Sequence, residues 1–450
     1  MKLSKLTVAC LLATSGFSVT SAANAATTDG LEFHGSFRSG VLLSAEKDFK
    51  RVAFPATKEK LGRLGIESDN NLNFNLVKKW NLDDGKSIRV TVGVAGTGDG
   101  KSLSSGIDAG GADNQMGFEQ TFIELGGITE TGTIWAGKRD YGKDNYIFMT
   151  DFFYTQMSGT GIGLADYEIG DVKYDFAYMT SDRSTSNLIG RPLNWNEADD
   201  FAQKDTNNIM HSVHVGANFG SWELHGQVKS MKDNYSAGLV NGAPAYGNNT
   251  LYAETGFDMT AIVHLDSFLG LPGNGFSKVI VQAGQGLGSN SLLGGTINIY
   301  NTYAPSNKGD HPSQITMVDE DDQSARLLVW GGYFLDSGIN FFPSFQTQYN
   351  DNDDGSSNYY MSAMVRSNFP VADNFLIATD LGTQYDYAED ADGNTTYKGN
   401  NFKATIAPTW VIGTGQGPAP EIRLLGTYLR DAFGSGDDDF IVGLQADVWW

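Results

Sequence analysis

The chain ends in DFIVGLQADVWW (439–450), and its apolar residues fall on every second position: Phe440, Val442, Leu444, Ala446, Val448 and Trp450. Side chains on a β-strand point alternately to the two faces of a sheet, so this segment presents one wholly apolar face and one mixed face with Gln445, Asp447 and Trp449. Left in water, such a strand edge invites aggregation. A barrel with lipid outside and water inside requires this alternation. The same period of two recurs upstream. Ile88, Val90, Val92 and Val94 alternate with Arg89, Thr91, Gly93 and Ala95; Leu72, Phe74 and Leu76 alternate with Asn71, Asn73 and Asn75. Phe341, Pro343, Phe345, Thr347 and Tyr349 alternate with Phe342, Ser344, Gln346, Gln348 and Asn350.

Short turn signals separate some runs (Asp83-Asp84-Gly85, Asp336-Ser337-Gly338). Longer Gly-, Asn- and Asp-rich stretches separate others (98–114, 181–207, 232–250), and these read as loops. Short turns at one end and long loops at the other describe a transmembrane β-barrel of the bacterial outer membrane, with aromatic girdles that include Phe345, Tyr349 and Trp450. At about 10 residues per spanning strand plus loops, the chain suits about 16 to 18 strands. No change in composition marks a second folding unit, so the chain reads as all-β, with one barrel domain over 26–450.

The first residues agree with export. Lys2 and Lys5 precede an apolar stretch from Leu6 to Phe17 and a small-residue exit at Ala23-Asn24-Ala25, the form of a signal peptide over 1–25. Cys10, the one cysteine, lies inside it, which leaves the exported chain without disulfides or thiolate ligands. Beyond this segment no run of about 18 apolar residues exists to form a membrane helix. With 31 basic against 53 acidic residues the net charge is −22, which excludes electrostatic binding of nucleic acid. The acid is clustered at 319–322, 351–355, 389–393 and 437–439, between strand-like runs. These read as solvated loops, compatible with divalent-cation bridging to lipopolysaccharide.

Catalytic chemistry finds little support. His211 and His214 have HxxH spacing, but on a strand their side chains point to opposite faces and do not converge on a metal. No motif selects a Ser/His pair around His34 or His225. The run Gly284, Gly286, Gly288 lacks the strand–turn–helix context of a nucleotide loop and reads as a flexible strand end. No catalytic residue, metal site or cofactor is expected.

Several landmarks together resemble the maltoporin and sucrose-porin family: LEFHGSFRSG (31–40), RLG (63–65), TIWAGKR (133–139), DFFY (151–154) followed by Ser158 and Gly159, and the closing Trp449 and Trp450. They run in family order over nearly the whole chain. The resemblance implies an eighteen-stranded antiparallel barrel, assembled as a homotrimer, that passes oligosaccharides of the maltose and maltodextrin type by passive facilitated diffusion. It also implies an inward-folded constriction loop near 138–159, with outer-membrane lipid, lipopolysaccharide, a periplasmic sugar-binding protein and phage as candidate partners.

Such a channel stacks sugar ring faces on lumenal aromatics and exchanges hydrogen bonds between charged side chains and hydroxyls. By resemblance, Arg38 and Arg63 occupy arginine positions on the first two strands, on the lumen face. Lys143, Asp144, Asp151 and Phe153 fall in the constriction loop, Glu119 stands where the family has an arginine, and Trp449 retains the last ring of the aromatic slide. The other slide positions fall on Ser36, Asn71, Met259 and Gly417, none aromatic. This predicts altered or relaxed specificity; the alternative is a general, cation-preferring diffusion pore without a sugar site.

Overall fold

The computed structural model describes residues 30–450 apart from 53, 68–69, 99–113, 143, 183–208, 233–234, 241–242, 297–317, 413–419 and 432–435. The segment read as a signal peptide, Lys143 and Gly417 therefore lie outside the described residues. Among those described, eighteen long strands form one closed antiparallel barrel. In chain order they are β1 (Leu31–Ser44), β2 (Asn70–Asn81), β3 (Ser87–Gly98), β4 (Asn114–Gly126), β5 (Thr133–Tyr141), β6 (Met157–Ile169), β7 (Val172–Asp182), β8 (Ile209–Asn218) and β9 (Trp222–Ser230). There follow β10 (Thr255–Leu265), β11 (Asn274–Gly286), β12 (Gln323–Phe334), β13 (Asn340–Asp351), β14 (Ser357–Ala372), β15 (Phe375–Glu389), β16 (Thr395–Val411), β17 (Glu421–Arg430) and β18 (Asp439–Trp449).

Each strand pairs with its sequence neighbours. The ring closes where β1 meets β18, in a register running from Ser36 opposite Trp449 to Ser44 opposite Ile441. Closure removes every sheet edge and pairs the ladder groups within the wall, the condition for a sheet to sit in lipid. The period of two assigns the faces. On β18, Phe440 and Leu444 are exposed outward, while Asp439, Ile441 and Gln445 are buried inside. Phe345 and Tyr349 are exposed on the outer face. Trp450 packs on Phe33 with ring centroids 5.3 Å apart, at the end of the barrel that carries the chain terminus.

That end carries the short connections, such as 82–86 and 335–339. The opposite end carries the long ones, but two of its connections, 352–356 and 390–394, are tight turns as well. The acids there include structural members. Asp322 accepts the backbone N–H groups of Asp319 (3.0 Å) and Asp353 (2.8 Å), and Asp439 accepts Ser44 Oγ at 2.5 Å. Buried carboxylates with such partners clamp loops to the rim, so the reading of these clusters as merely solvated is corrected for these two residues. The stretch 232–250, expected as loop, contains a hairpin pairing Tyr235–Val240 with Ala243–Leu251. The GQGLG run is no flexible end: a Cβ on Gly288 would lie 1.9 Å from the carbonyl oxygen of Phe257. Glycine is needed there because the chain doubles back against its own strands.

Among the described residues, three connections fold into the barrel. Residues 58–67 after β1 bury Leu61, Leu64 and Ile66 against Ala378, Ala407, Leu425 and Ile441 of the wall. Within this segment Gly65 has φ +78°, and a Cβ there would meet Thr427 Oγ1 at 2.0 Å, so only glycine lets the loop lie flush. Residues 142–156 after β5 bury Ile147, Phe152 and Tyr154 against Ile262, Ile280 and Leu328. Residues 287–296 after β11 are held by Lys229, which forms an ion pair with Asp258 (2.7 Å) and donates to the carbonyl of Gly295 (2.6 Å). Arg326 donates to the carbonyl of Leu293.

Arg63 therefore does not stand on a strand. It belongs to the inward segment between β1 and β2 and reaches the lumen because that segment packs on the wall, not by strand parity. Met259 also departs from expectation. It is 61% exposed on the outer face of β10, and the neighbours that point inward are Asp258 and Thr260.

Candidate functional site: the constriction

Two of the inward segments, 58–67 and 142–156, meet around Glu67, whose side chain is 2% exposed. Its carboxylate accepts Lys58 Nζ at 2.6 Å, Arg63 Nε at 2.7 Å and Arg38 Nη1 at 2.8 Å. Lys58 also donates to Asp151 at 2.7 Å. Arg38 reaches Asp447 at 3.4 Å, and Arg423 reaches the same carboxylate at 3.4 Å and Gln445 at 2.9 Å. Gln445 in turn donates to the backbone carbonyl of Glu67 at 3.1 Å. Arg63 binds the two inward loops together, its N–H donating to the carbonyl of Met149 at 2.9 Å and its guanidinium lying 5.5 Å from the Phe148 ring.

This arrangement sets the protonation states. Burial pushes the Glu67 carboxyl up, but Arg63 and Lys58 outweigh it and hold the group at about 2. Asp151 shows the same balance: burial raises it, and Lys58 and Arg63 bring it below its ordinary value. Burial lowers Arg63, yet Glu67 and Asp151 more than compensate and keep it above the ordinary range. Glu59, buried beside Lys58, is pushed up to about 7 because desolvation dominates there. Glu67, Asp151 and Arg63 are thus charged at neutral pH, with cations and anions interleaved around them.

The structure brings Arg38, Arg63 and Asp151 into one network. Glu119 lies apart on β4, where it is the extra residue of a bulge between Phe118 and Gln120, and accepts Asn73 Nδ2 from the inner face of β2. Asp144 is exposed at the entry of the constriction loop. Phe153 is half-buried and pairs across a short ribbon with Tyr146, the rings stacked at 5.1 Å and 17°. Trp449 lies on the inner face of β18. It lines a recess with Phe148, Phe342, Arg366, Asn368, Thr409, Glu421 and Arg423. Arg366 is anchored to Asp380 at 3.0 Å, and Arg423 pairs with Glu421.

Lys58, Glu67, Tyr146, Arg423 and Asp447 were missed. Parity along the final strand places Asp447 on the same face as Trp449, so that one was legible. Lys58 and Glu67 lie in a segment with no strand period, and their role depends on partners distant in sequence. On β8, His211 points outward and bonds Tyr178 while His214 points inward to His225, as a strand requires. His225 and His264 share Glu223 at 3.0 and 2.7 Å. Among the described residues no group of three or more potential ligands is placed to hold a metal.

A family model described as LamB porin matches residues 31–450. The maltoporin of Vibrio cholerae serotype O1 (El Tor Inaba N16961) is 26% identical over 447 residues, covering 93% of this chain and 95% of that protein. The maltoporin of Photobacterium profundum is 24% identical, covering 94% of each. Among solved structures, OccAB2 of Acinetobacter baumannii superposes with a TM-score of 0.48 at 10% identity, covering 94% of this chain and 98% of that one. The chain belongs to the LamB porin family, a transport protein and not an enzyme, spanning the bacterial outer membrane as a β-barrel.

Proposed function

We propose that this porin is a carbohydrate-selective channel that passes short oligosaccharides of the maltose and maltodextrin type by passive facilitated diffusion, with relaxed specificity. The observation that carries the reading is the LamB porin match over residues 31–450, with Trp449 on the inner face of β18 beside Asn368, the carboxylate of Glu421 and the largely buried guanidinium groups of Arg366 and Arg423. A pyranose has an apolar ring face and a rim of hydroxyls. An aromatic plate beside planar donors and a carboxylate suits both. The relatives named maltoporins support the same class of solute.

Relaxed specificity rests on the slide positions. Ser36 and Asn71 point into the lumen without rings, and Met259 points into lipid. Conduction requires binding strong enough to admit the solute and weak enough to release it, and fewer platforms shift that balance toward release. The working unit is proposed to be a homotrimer, formed after residues 1–25 are removed on export. The test is conductance in planar bilayers titrated with maltose, maltotriose, sucrose and a β-linked disaccharide. Saturable block by one of these sugars is the expected result. Ohmic conductance indifferent to all of them would make the protein a general diffusion pore.

A further inference from the structure

The inner face of β8 to β10 gathers His214, His225 and His264. The rings of His214 and His225 stack with centroids 5.4 Å apart and planes at 22°, and His214 Nε2 lies 3.2 Å from His225 Nδ1. Glu223 of β9 bonds His225 Nε2 at 3.0 Å and His264 Nε2 of β10 at 2.7 Å. An ionised carboxylate only accepts, so both Nε2 atoms carry protons. The neutral His225 ring then has its lone pair on Nδ1, facing His214. A carboxylate that takes one ring proton in this way fixes the tautomer and leaves the other nitrogen as a metal ligand.

The bond between the two imidazoles does not complete a polar network. His214 is 4% exposed, and its Nδ1 is buried without a hydrogen-bond partner among the described residues. Whichever ring donates, one nitrogen of His214 stays unpaired. Beside the pair the wall has a hollow. Register puts Asp175 of β7, Gly216 of β8 and His225 in one row across the inner face. The point where a Cβ on Gly216 would sit lies 3.0 Å from His225 Nδ1, 3.2 Å from His214 Cε1 and 3.4 Å from Asp175 Cβ. Glycine leaves that point open among three side chains of ligand type. Asp175 commits one oxygen, Oδ1, to the N–H of Asp166 at 2.9 Å.

We propose that His214, His225 and Asp175 bind a first-row transition-metal dication such as Zn2+ on the inner wall of the pore, in the hollow at Gly216, with Glu223 holding His225 in the ligating tautomer. Two nitrogens on one tetrahedral Zn2+, at about 2.0–2.1 Å each, stand about 3.3 Å apart, close to the spacing of the two rings. As the side chains stand, the imidazoles are two ligands and not three; rotation of the Asp175 carboxylate into the hollow supplies the third, and lumenal water the fourth. Imidazole nitrogen favours Zn2+, Ni2+ and Cu2+ over Ca2+ and Mg2+, which take oxygen ligands. Tyr141, where β5 gives way to the constriction loop, packs edge-on against His214 at 5.3 Å. The ion's place is therefore just below the constriction, on the side of the short connections, where its charge opposes the passage of cations. The site is independent of the carbohydrate reading.

The test is single-channel current through the purified porin in planar bilayers at neutral pH, titrated with ZnCl2 and, in parallel, MgCl2. The expected result is a saturable fall in current with micromolar Zn2+, reversed by EDTA and not reproduced by Mg2+ at the same concentration. His225→Ala removes a ligand, and Gly216→Ala fills the hollow with every ligand in place; each should weaken the Zn2+ effect at least about ten-fold, and Glu223→Gln about ten-fold. His211→Ala, on the outer face of the same strand, should leave it unchanged. Folding of each variant is verified by heat-modifiable migration. A readout that needs no variant is Co2+ added to the wild type, where the visible absorption of a tetrahedral ion, displaced by Zn2+, is expected. A Zn2+ effect that persists in both His225→Ala and Gly216→Ala would overturn the site. So would an equal effect of Mg2+, or a wild type that neither responds to Zn2+ nor shows the Co2+ band. Sugar block is read separately and survives each of these outcomes.

Discussion

Glu67→Gln removes the anion on which the constriction is built while keeping the shape of the side chain. Three cations lie within 2.8 Å of its carboxylate, and water is excluded from it. Its pKa falls from 4.5 to about 2, which corresponds to roughly 3 kcal/mol of preference for the charged form in place. Removing one partner of a buried ion pair costs about 3–5 kcal/mol, a range that overlaps this figure. The barrel itself should persist, because its wall is closed independently of this residue. What loosens is the contact of segment 58–67 with the 149–151 loop, so its open form should rise about a hundred-fold. The assay is single-channel recording with ion-selectivity measurement. The variant should show noisier current and a shift toward anions, because Arg38, Lys58 and Arg63 keep their charge. The wild-type network contributes fully above about pH 4.5 and is lost as pH falls through about 2, because the carboxyl has a depressed pKa in the folded state. The variant should lack this acid transition. Current noise, selectivity and acid response all identical to wild type would refute the assignment of Glu67 as the organising anion.

Glu59 has the opposite sign. Its pKa is raised to about 7, so its contribution is present below about pH 4.5 and lost as pH rises through about 7; Glu59→Gln should abolish that loss, read as protease resistance of the loop between pH 5 and 8. Trp449→Ala should weaken sugar block about five-fold if the recess stacks a ring, equivalent to about 1 kcal/mol, measured by maltose titration. Gly163→Ala places a Cβ 2.5 Å from both the carbonyl oxygen of Phe176 and the indole nitrogen of Trp135; it should cost about 1–3 kcal/mol, seen as a lower urea midpoint for the folded barrel band.

The period of two was enough to determine the wall. It put Arg38, Asp447 and Trp449 inside and Phe345 and Tyr349 outside, because each strand has lipid on one face and the lumen on the other. The same rule applied to Phe257, Met259 and Val263 places Met259 in lipid, where resemblance had suggested a lumenal position. The inward segments 58–67 and 142–156 were a different matter. The first of them carries no period that a single sequence would reveal, since neither of its faces meets lipid. Their conformation follows from contacts with the wall: Gly65 against Thr427, Ile147 and Phe152 against β10 to β12, Lys403 donating to the carbonyl of Leu64 at 2.9 Å.

The sequence by itself thus determined an exported, acidic, outer-membrane barrel and the face on which each strand residue lies, Ser36 and Asn71 among the inward ones. Only the tertiary structure decided that Arg63 acts from a loop, that Lys58 and Glu67 join Arg38 to Asp151, and that Tyr146 and Phe153 stack across a short ribbon. The physical reason is range. Strand parity is a local consequence of backbone geometry, whereas the constriction is assembled by charges and apolar contacts between residues hundreds of positions apart, which meet only when the barrel has closed.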